Sequence, residues 1–311
     1  MIIAPFVVSL REGIEAALII AIMLSYLRKT GRENMKQSII IGTLFAFVGS
    51  LGLATVIAMI WGAFEGAILN VFEGSVVLAA AILLTSMIFW MRKASSGIAS
   101  EIEQSVEEGA LRTRLSLTFL AFALILREGV ELVLFTTALA FQEGPITYIG
   151  VFLGLVIAIL VGFGVYQGSL RIKFKSFFNS TSVLLVLFAA GMIAYGIHEL
   201  QEVGFLAFGP IEVWNINPPL LPDGSYPLLH EKGFLGGLAK ALFGYNGNPS
   251  ALEVIAYVGY LTLISLIYFR TIKSRLSHRI GDRRPAIRVQ ILRDERSPSI
   301  AVPKDGNWKM N

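Results

Sequence analysis

Two short stretches of this sequence carry charge inside apolar surroundings. Leu10-Arg11-Glu12-Gly13-Ile14-Glu15 recurs as Leu126-Arg127-Glu128-Gly129-Val130-Glu131, with Arg11 and Arg127 116 residues apart. On a helix, Glu12 and Glu15 share a face, and Arg11 and Glu15, four apart, can pair; the second copy repeats the spacing. Four carboxylates against two guanidinium groups leave a surplus of acid. A pair that only clamps two helices needs neutrality, whereas a cation site needs surplus oxygen ligands. The pattern therefore points to metal binding by Glu12, Glu15, Glu128 and Glu131, with Arg11 and Arg127 balancing charge. Crowded, desolvated carboxylates hold protons until a multivalent cation takes their place. Gly13 and Gly129 lie between the acids. They are read as helix-packing positions where another backbone comes close.

The elements that must hold these residues follow from composition. Of 311 residues, 55% are hydrophobic and only 15% charged, with mean hydropathy +0.68. Soluble proteins carry about 25% charged residues, so a soluble two-domain enzyme is excluded. Cysteine is absent, which removes disulfides, thiolate metal sites and thiol nucleophiles. Seven apolar runs are long enough to cross a membrane: 2–27, 38–61, 70–91, 115–141, 146–166, 182–201 and 252–269. The first is not a signal peptide, because it lacks a basic start and carries Arg11, Glu12 and Glu15 in its middle. The expectation is an all-α integral membrane protein. A membrane transport domain covers 1–270, and a basic cytoplasmic tail, disordered by composition, covers 271–311.

The motif repeat divides the first six spans into two sets of three, about 1–92 and about 115–201. Three is odd, so the second set crosses the membrane in the opposite sense. Two inverted three-helix repeats plus a seventh helix is a construction common in secondary transporters, whose substrate sites lie near the midplane. A charge at a helix centre costs about 2.5–3.5 kcal/mol on insertion scales, so six unpaired charges would cost on the order of 15–20 kcal/mol. All six are accordingly expected to face the bundle interior and one another.

Orientation comes from the basic residues. Lys232 and Lys240 lie in one set of connections and Arg11 and Arg127 within spans; every other Lys and Arg falls in the connections after spans one, three and five or in the tail. The positive-inside bias puts the N-terminus outside and the tail in the cytoplasm. That basic tail suits anionic membrane lipid and does not require nucleic acid. Between spans three and four, Ile98, Ile102 and Val106 recur four apart among glutamates, as in a short interfacial amphipathic helix. The outer connection 203–250 is long and rich in Pro, Gly and aromatics, with an apolar stretch at 233–245 that suits a short helix.

A second tier of acids lies toward the outer face. Glu73 opens span three, and His198-Glu199-Leu200-Gln201-Glu202 ends span six. Glu199 and Glu202 repeat the three-residue acid spacing, so Glu73, Glu199 and Glu202 are read as a carboxylate-rich vestibule and candidate metal ligands. A zinc hydrolase would place a second histidine where Glu202 stands, so a membrane metallohydrolase on His198 and Glu199 is a remote alternative. Glu212, Asp223, His230, Glu231 and Glu253 read as solvated loop charges.

The paired Arg-Glu-Gly-Ile-Glu and Arg-Glu-Gly-Val-Glu motifs resemble those of the high-affinity iron permeases, also called oxidase-dependent iron transporters. Phe72-Glu73-Gly74, the 195–202 segment and Trp214-Asn215-Ile216-Asn217-Pro218 resemble that family's bacterial members, and the likeness spans roughly residues 1–270. The resemblance implies seven spans, an outside N-terminus, uptake of Fe(III) and no catalysis. It also implies iron ligation by the motif glutamates, here Glu12, Glu15, Glu128 and Glu131. Iron is then the transported ion and no cofactor is permanently bound; a separate extracytoplasmic iron-binding or ferroxidase-type protein is the implied partner. Ligand hardness agrees: an all-carboxylate site suits Fe(III), disfavours Cu(I), and leaves a divalent permease for Mn, Fe(II) or Pb as the alternative.

Overall fold

The computed structural model describes residues 2–94, 98–168, 174–206, 212–221, 224–231, 233–268 and 270. Among these the chain is helical, apart from one isolated antiparallel bridge between Glu212 and Ser250. The helices are α1 (Ile3–Lys29), α2 (Lys36–Ala63), α3 (Ala67–Ala94), α4 (Ile98–Arg112), α5 (Arg114–Glu143), α6 (Ile146–Tyr166), α7 (Phe174–Glu202), α8 (Phe234–Phe243) and α9 (Ala251–Tyr268). Residues 1–261 form one compact unit, and 262–311 a second. Of the second, 262–268 continue α9, and the tail from 271 lies outside the described residues.

Among the described residues, five segments are long and apolar enough to cross a membrane: Glu33–Ala63, Ala67–Trp90, Ile146–Tyr166, Ser180–Glu202 and Ala251–Tyr268. The protein is thus a multi-pass membrane protein. The 27-residue α1 and the 30-residue α5 are as long, but each carries a charged motif in mid-helix. Among the described residues each apolar run is helical but for Ile2, and most helix ends fall within a turn of those expected. Helix signals mark some of these ends. Thr113 caps α5, its Oγ1 accepting from Ser116 N at 3.1 Å. Gly144, at φ 72°, and Pro145 then separate α5 from α6.

Packing is inside-out relative to a soluble bundle. On α2, Leu44, Phe45 and Phe47 are more than 60% exposed while Gly42 and Ala46 are buried. On α6, Phe152, Ile159 and Leu160 point outward while Gly150, Gly154, Ala158 and Gly162 are buried. Large apolar side chains facing out suit a lipid solvent, and small residues facing in let helix backbones touch. The small faces have specific partners. Those on α6 take α1, with Gly154 against Ser9 and Gly162 against Ala17; those on α2 take α5, with Gly42 against Thr118 and Ala121. On the third pair of helices, α3 and α7, Gly74 and Gly196 meet. Each motif helix therefore packs on the second helix of the other motif's set.

The amphipathic helix expected between spans three and four is α4, and it is docked. Ile102 and Val106 are buried in one cluster with Met23 and Leu27 of α1, Ile39 of α2, and Leu117 and Ala121 of α5. The apolar stretch in the 203–250 connection forms α8, beginning after Gly233 and ending at Gly244, which is left-handed at φ 67°.

Candidate metal centre

The two motifs, far apart in sequence, meet in the fold. Glu12, Glu15 and Glu128 each offer one carboxylate oxygen within 4.8 Å of the other two, and all three residues are buried. Burial is nearly complete: Glu12 is 1% exposed and Arg11 is 0% exposed. The pairing expected from spacing is present in both copies. Arg11 Nε lies 3.2 Å from Glu15 Oε1, and Arg127 Nε donates to Glu131 Oε1 at 3.0 Å. Arg127 Nε also lies 4.0 Å from Glu128 Oε1. Glu131 thus stands beside the three-carboxylate cluster, held by Arg127.

The carboxylates are not fully satisfied by the protein. Neither oxygen of Glu12 has a hydrogen-bond partner, and Oε2 of Glu128 and Oε2 of Glu131 are likewise unpartnered. A buried carboxylate without partners is costly, and a bound cation or proton supplies the missing interaction. An all-oxygen, anionic donor set of this kind fits a hard metal ion.

Gly13 and Gly129 are where they are because nothing larger fits. A Cβ on Gly13 would lie 2.6 Å from Ala158 Cβ of α6. One on Gly129 would lie 1.9 Å from Ser50 Oγ and 2.9 Å from Ser50 Cβ of α2. Each motif helix is therefore pressed onto its partner at the level of its acids.

The expectation that all six motif charges turn inward fails at Arg127. Its side chain is 43% exposed, and its guanidinium carbon lies 4.4 Å from the centroid of the Trp90 ring. The physical reason is reach: an arginine can keep its stem on the helix while its head leaves the bundle, and here an indole face receives it. The two arginines are thus unequal, Arg11 sealed and Arg127 half-open.

Glu73, Glu199 and Glu202 come together around Tyr195, whose side chain hydrogen-bonds to both Glu73 and Glu199. Glu199 is 8% exposed and lines a cavity of about 260 Å³, together with Glu143, Tyr195, His198, Glu231 and Glu253. Glu73 and Glu202 are not among its lining residues. Glu73 accepts from Trp61 Nε1 at 2.8 Å. Glu202 accepts from Asn70 Nδ2 at 2.8 Å and lies 3.4 Å from His198 Nε2. Of the loop charges, Asp223 lies outside the described residues.

Glu253 corrects the reading of it as a solvated charge. It is 2% exposed, with Oε1 3.0 Å from His198 Nδ1 and Oε2 accepting from Asn246 Nδ2 at 2.8 Å. Its carboxylate also accepts from Ser250 N, and its own N–H donates to Ser250 Oγ, each at 3.2 Å. That reciprocal pair is a capping box at the start of α9. Its signal, Ser250-Ala251-Leu252-Glu253 before an apolar run, stands in the sequence.

Long apolar helices gathered around buried carboxylates, only partly satisfied by the protein, define a polytopic membrane protein with an acidic interior. Comparison with known proteins gives that class a family. The chain matches the iron permease FTR1 family over residues 2–276 and belongs to it. It is similar to the ferrous iron permease EfeU of Escherichia coli, 36% identical over 262 residues, covering 83% of this chain and 91% of the relative. The ferrous iron permease EfeU of Yersinia pestis is 33% identical over 270 residues, covering 85% and 92%. A protein of Archaeoglobus fulgidus is also 33% identical over 270 residues, covering 84% and 93%. No solved structure matches the chain significantly. The family and the two EfeU relatives are described as permeases, so the protein is a transporter rather than an enzyme.

Proposed function

We propose that the protein imports iron across the cell membrane, and that Glu12, Glu15, Glu128 and Glu131 bind the ion on its way through. The observation that carries this reading is the buried trio Glu12, Glu15 and Glu128, drawn from both motifs, with Glu12 lacking any partner. Arg11 and Arg127 hold Glu15 and Glu131 and temper the surplus negative charge. Glu73, Glu199 and Glu202 collect the ion at the outer face. In this reading α1 to α3 and α5 to α7 are two inverted repeats, α9 is the seventh span, the N-terminus is outside and the tail is cytoplasmic. The exchanged packing of α1 on α6 and α5 on α2 supports that symmetry, and the distribution of Lys and Arg supports the orientation. Residues 1–270 form the transport domain, with membrane lipid around it. A separate extracytoplasmic iron-binding or ferroxidase-type protein delivers the cargo, and no resident cofactor is needed.

The all-carboxylate donor set favours Fe(III) as the species bound. A second reading, import of Fe(II), is favoured by the printed names of the Escherichia coli and Yersinia pestis relatives. Labelled-iron uptake into cells expressing the protein, with chelated Fe(III) in one arm and Fe(II) under a reductant in the other, separates them. Uptake confined to the ferric arm supports the first reading, and uptake confined to the reduced arm supports the second. Uptake in neither overturns the function.

A further inference from the structure

The cavity and the motif carboxylates share two helices, α1 and α5, and the side chains one turn from each on those helices are apolar. On α5, Gln142 and Leu139 line the cavity, and Phe135 follows one turn below, one turn above Glu131. On α1, Ala4 lines the cavity and Val8 stands midway to Glu12. At 1.5 Å per residue, both Ala4 to Glu12 and Leu139 to Glu131 span about 12 Å. Phe135 is 1% exposed and Val8 3% exposed, and they share one buried cluster with Phe188 and Met192, which line the cavity from α7. Phe135 is the largest apolar side chain in the protein buried to this degree among the described residues. It sits on the face of α5 that carries Glu128 and Glu131, the face an ion moving between cavity and cluster would follow.

We propose that Phe135, closing against Val8, is the outer gate of the transport path, separating the cavity from the motif carboxylates. A hydrated cation cannot enter an apolar constriction of this kind, because no group there replaces its water; such constrictions stop ions by excluding water. Passage requires the Phe135 ring to leave the path, through a change of rotamer or a shift of α5 against α1. Placing the barrier one turn outside the acids keeps the cavity and the carboxylate cluster from being joined while the gate is shut. This proposal rests on reading the carboxylate cluster as the transport site.

The absence of cysteine gives a test that needs no iron and no transport. Single cysteines are introduced at Gln142, in the cavity, and at Val8, in the closed constriction against the ring. Purified protein in detergent is then titrated with a charged, water-soluble thiol reagent. The expected result is that Gln142→Cys is modified at least about tenfold faster than Val8→Cys. Adding Phe135→Ala raises the rate at Val8→Cys about tenfold and leaves Gln142→Cys unchanged. Phe135→Leu, a milder change that preserves folding better, gives an intermediate rate. Equal rates at the two cysteines with Phe135 in place overturn the gate with no Phe135 variant needed. An unchanged rate at Val8→Cys in folded Phe135→Leu and Phe135→Ala does the same. Failure of the transport reading would show instead as lost dependence of iron uptake on Glu12 and Glu128, with the labelling pattern intact.

Discussion

Replacing Gly13 with alanine tests whether helix contact at the motif sets the position of its acids. The new Cβ would stand 2.6 Å from Ala158 Cβ, where ordinary contact begins at 3.4 Å. Alanine has no rotamer to move, so α1 and α6 must separate locally by roughly 0.8 Å, the difference between those distances. Overpacking of this kind costs about 1–3 kcal/mol. Against it, Gly→Ala within a helix gains about 1 kcal/mol of propensity. The net loss of stability is therefore small, from about zero to 2 kcal/mol, and folded protein should still reach the membrane. Function is more sensitive, because metal sites tolerate ligand displacements of only about 0.2 Å. Iron uptake by Gly13→Ala, at matched membrane levels, is expected to fall at least about tenfold, with little change in melting temperature. Ala158→Gly removes the opposing atom, so the Gly13→Ala/Ala158→Gly pair should recover most of the lost uptake. If Gly13→Ala transports as well as the parent, or if Ala158→Gly restores nothing, helix contact at Gly13 does not set the position of the acids.

Three further outcomes follow from the same geometry. Trp90→Ala removes the ring under Arg127, an interaction of about 0.5–2 kcal/mol; uptake should fall severalfold, and Trp90→Phe should retain most of it. Ser250→Ala deletes the Oγ that accepts from Glu253 N, and should cost about 1 kcal/mol of stability as a lower melting temperature in detergent. Val106→Asp puts a charge into the cluster that docks α4 and should sharply reduce the yield of folded protein, whereas Gln104→Asp, on the exposed face, should not.

Much of this arrangement is legible before any coordinates are seen, for a physical reason. Lipid requires long apolar runs with backbone groups satisfied within each helix, so five helices are legible as candidate spans from length and hydropathy. The charged motifs keep α1 and α5 from qualifying on those grounds. The motif spacing likewise dictates the Arg11–Glu15 and Arg127–Glu131 pairs, because residues four apart on a helix are neighbours wherever that helix sits. Which helix faces which is less accessible. The packing of α1 on α6 and α5 on α2 depends on small residues such as Ala158 and Ser50, whose meaning appears only when a partner is placed against them. The exposure of Arg127 was hidden for the same reason, since it depends on Trp90, a residue of another helix. Glu253 is different. Its capping-box pattern is local and was open to reading, but its burial against His198 depends on a contact between α7 and the start of α9. The Phe135 constriction also lies beyond sequence, because a buried phenylalanine is ordinary until a cavity is found on one side of it and acids on the other.

In the proposed function, two distant motifs build one iron site within the helix bundle. Equilibrium binding of labelled iron to purified protein, parent against Glu12→Gln and Glu128→Gln, tests it most directly. Each substitution removes one charged ligand from a different motif while keeping size and shape. Either change alone is expected to weaken binding by at least about tenfold, because both acids would serve the same ion. If both variants bind iron as the parent does, the carboxylate cluster is not the iron site.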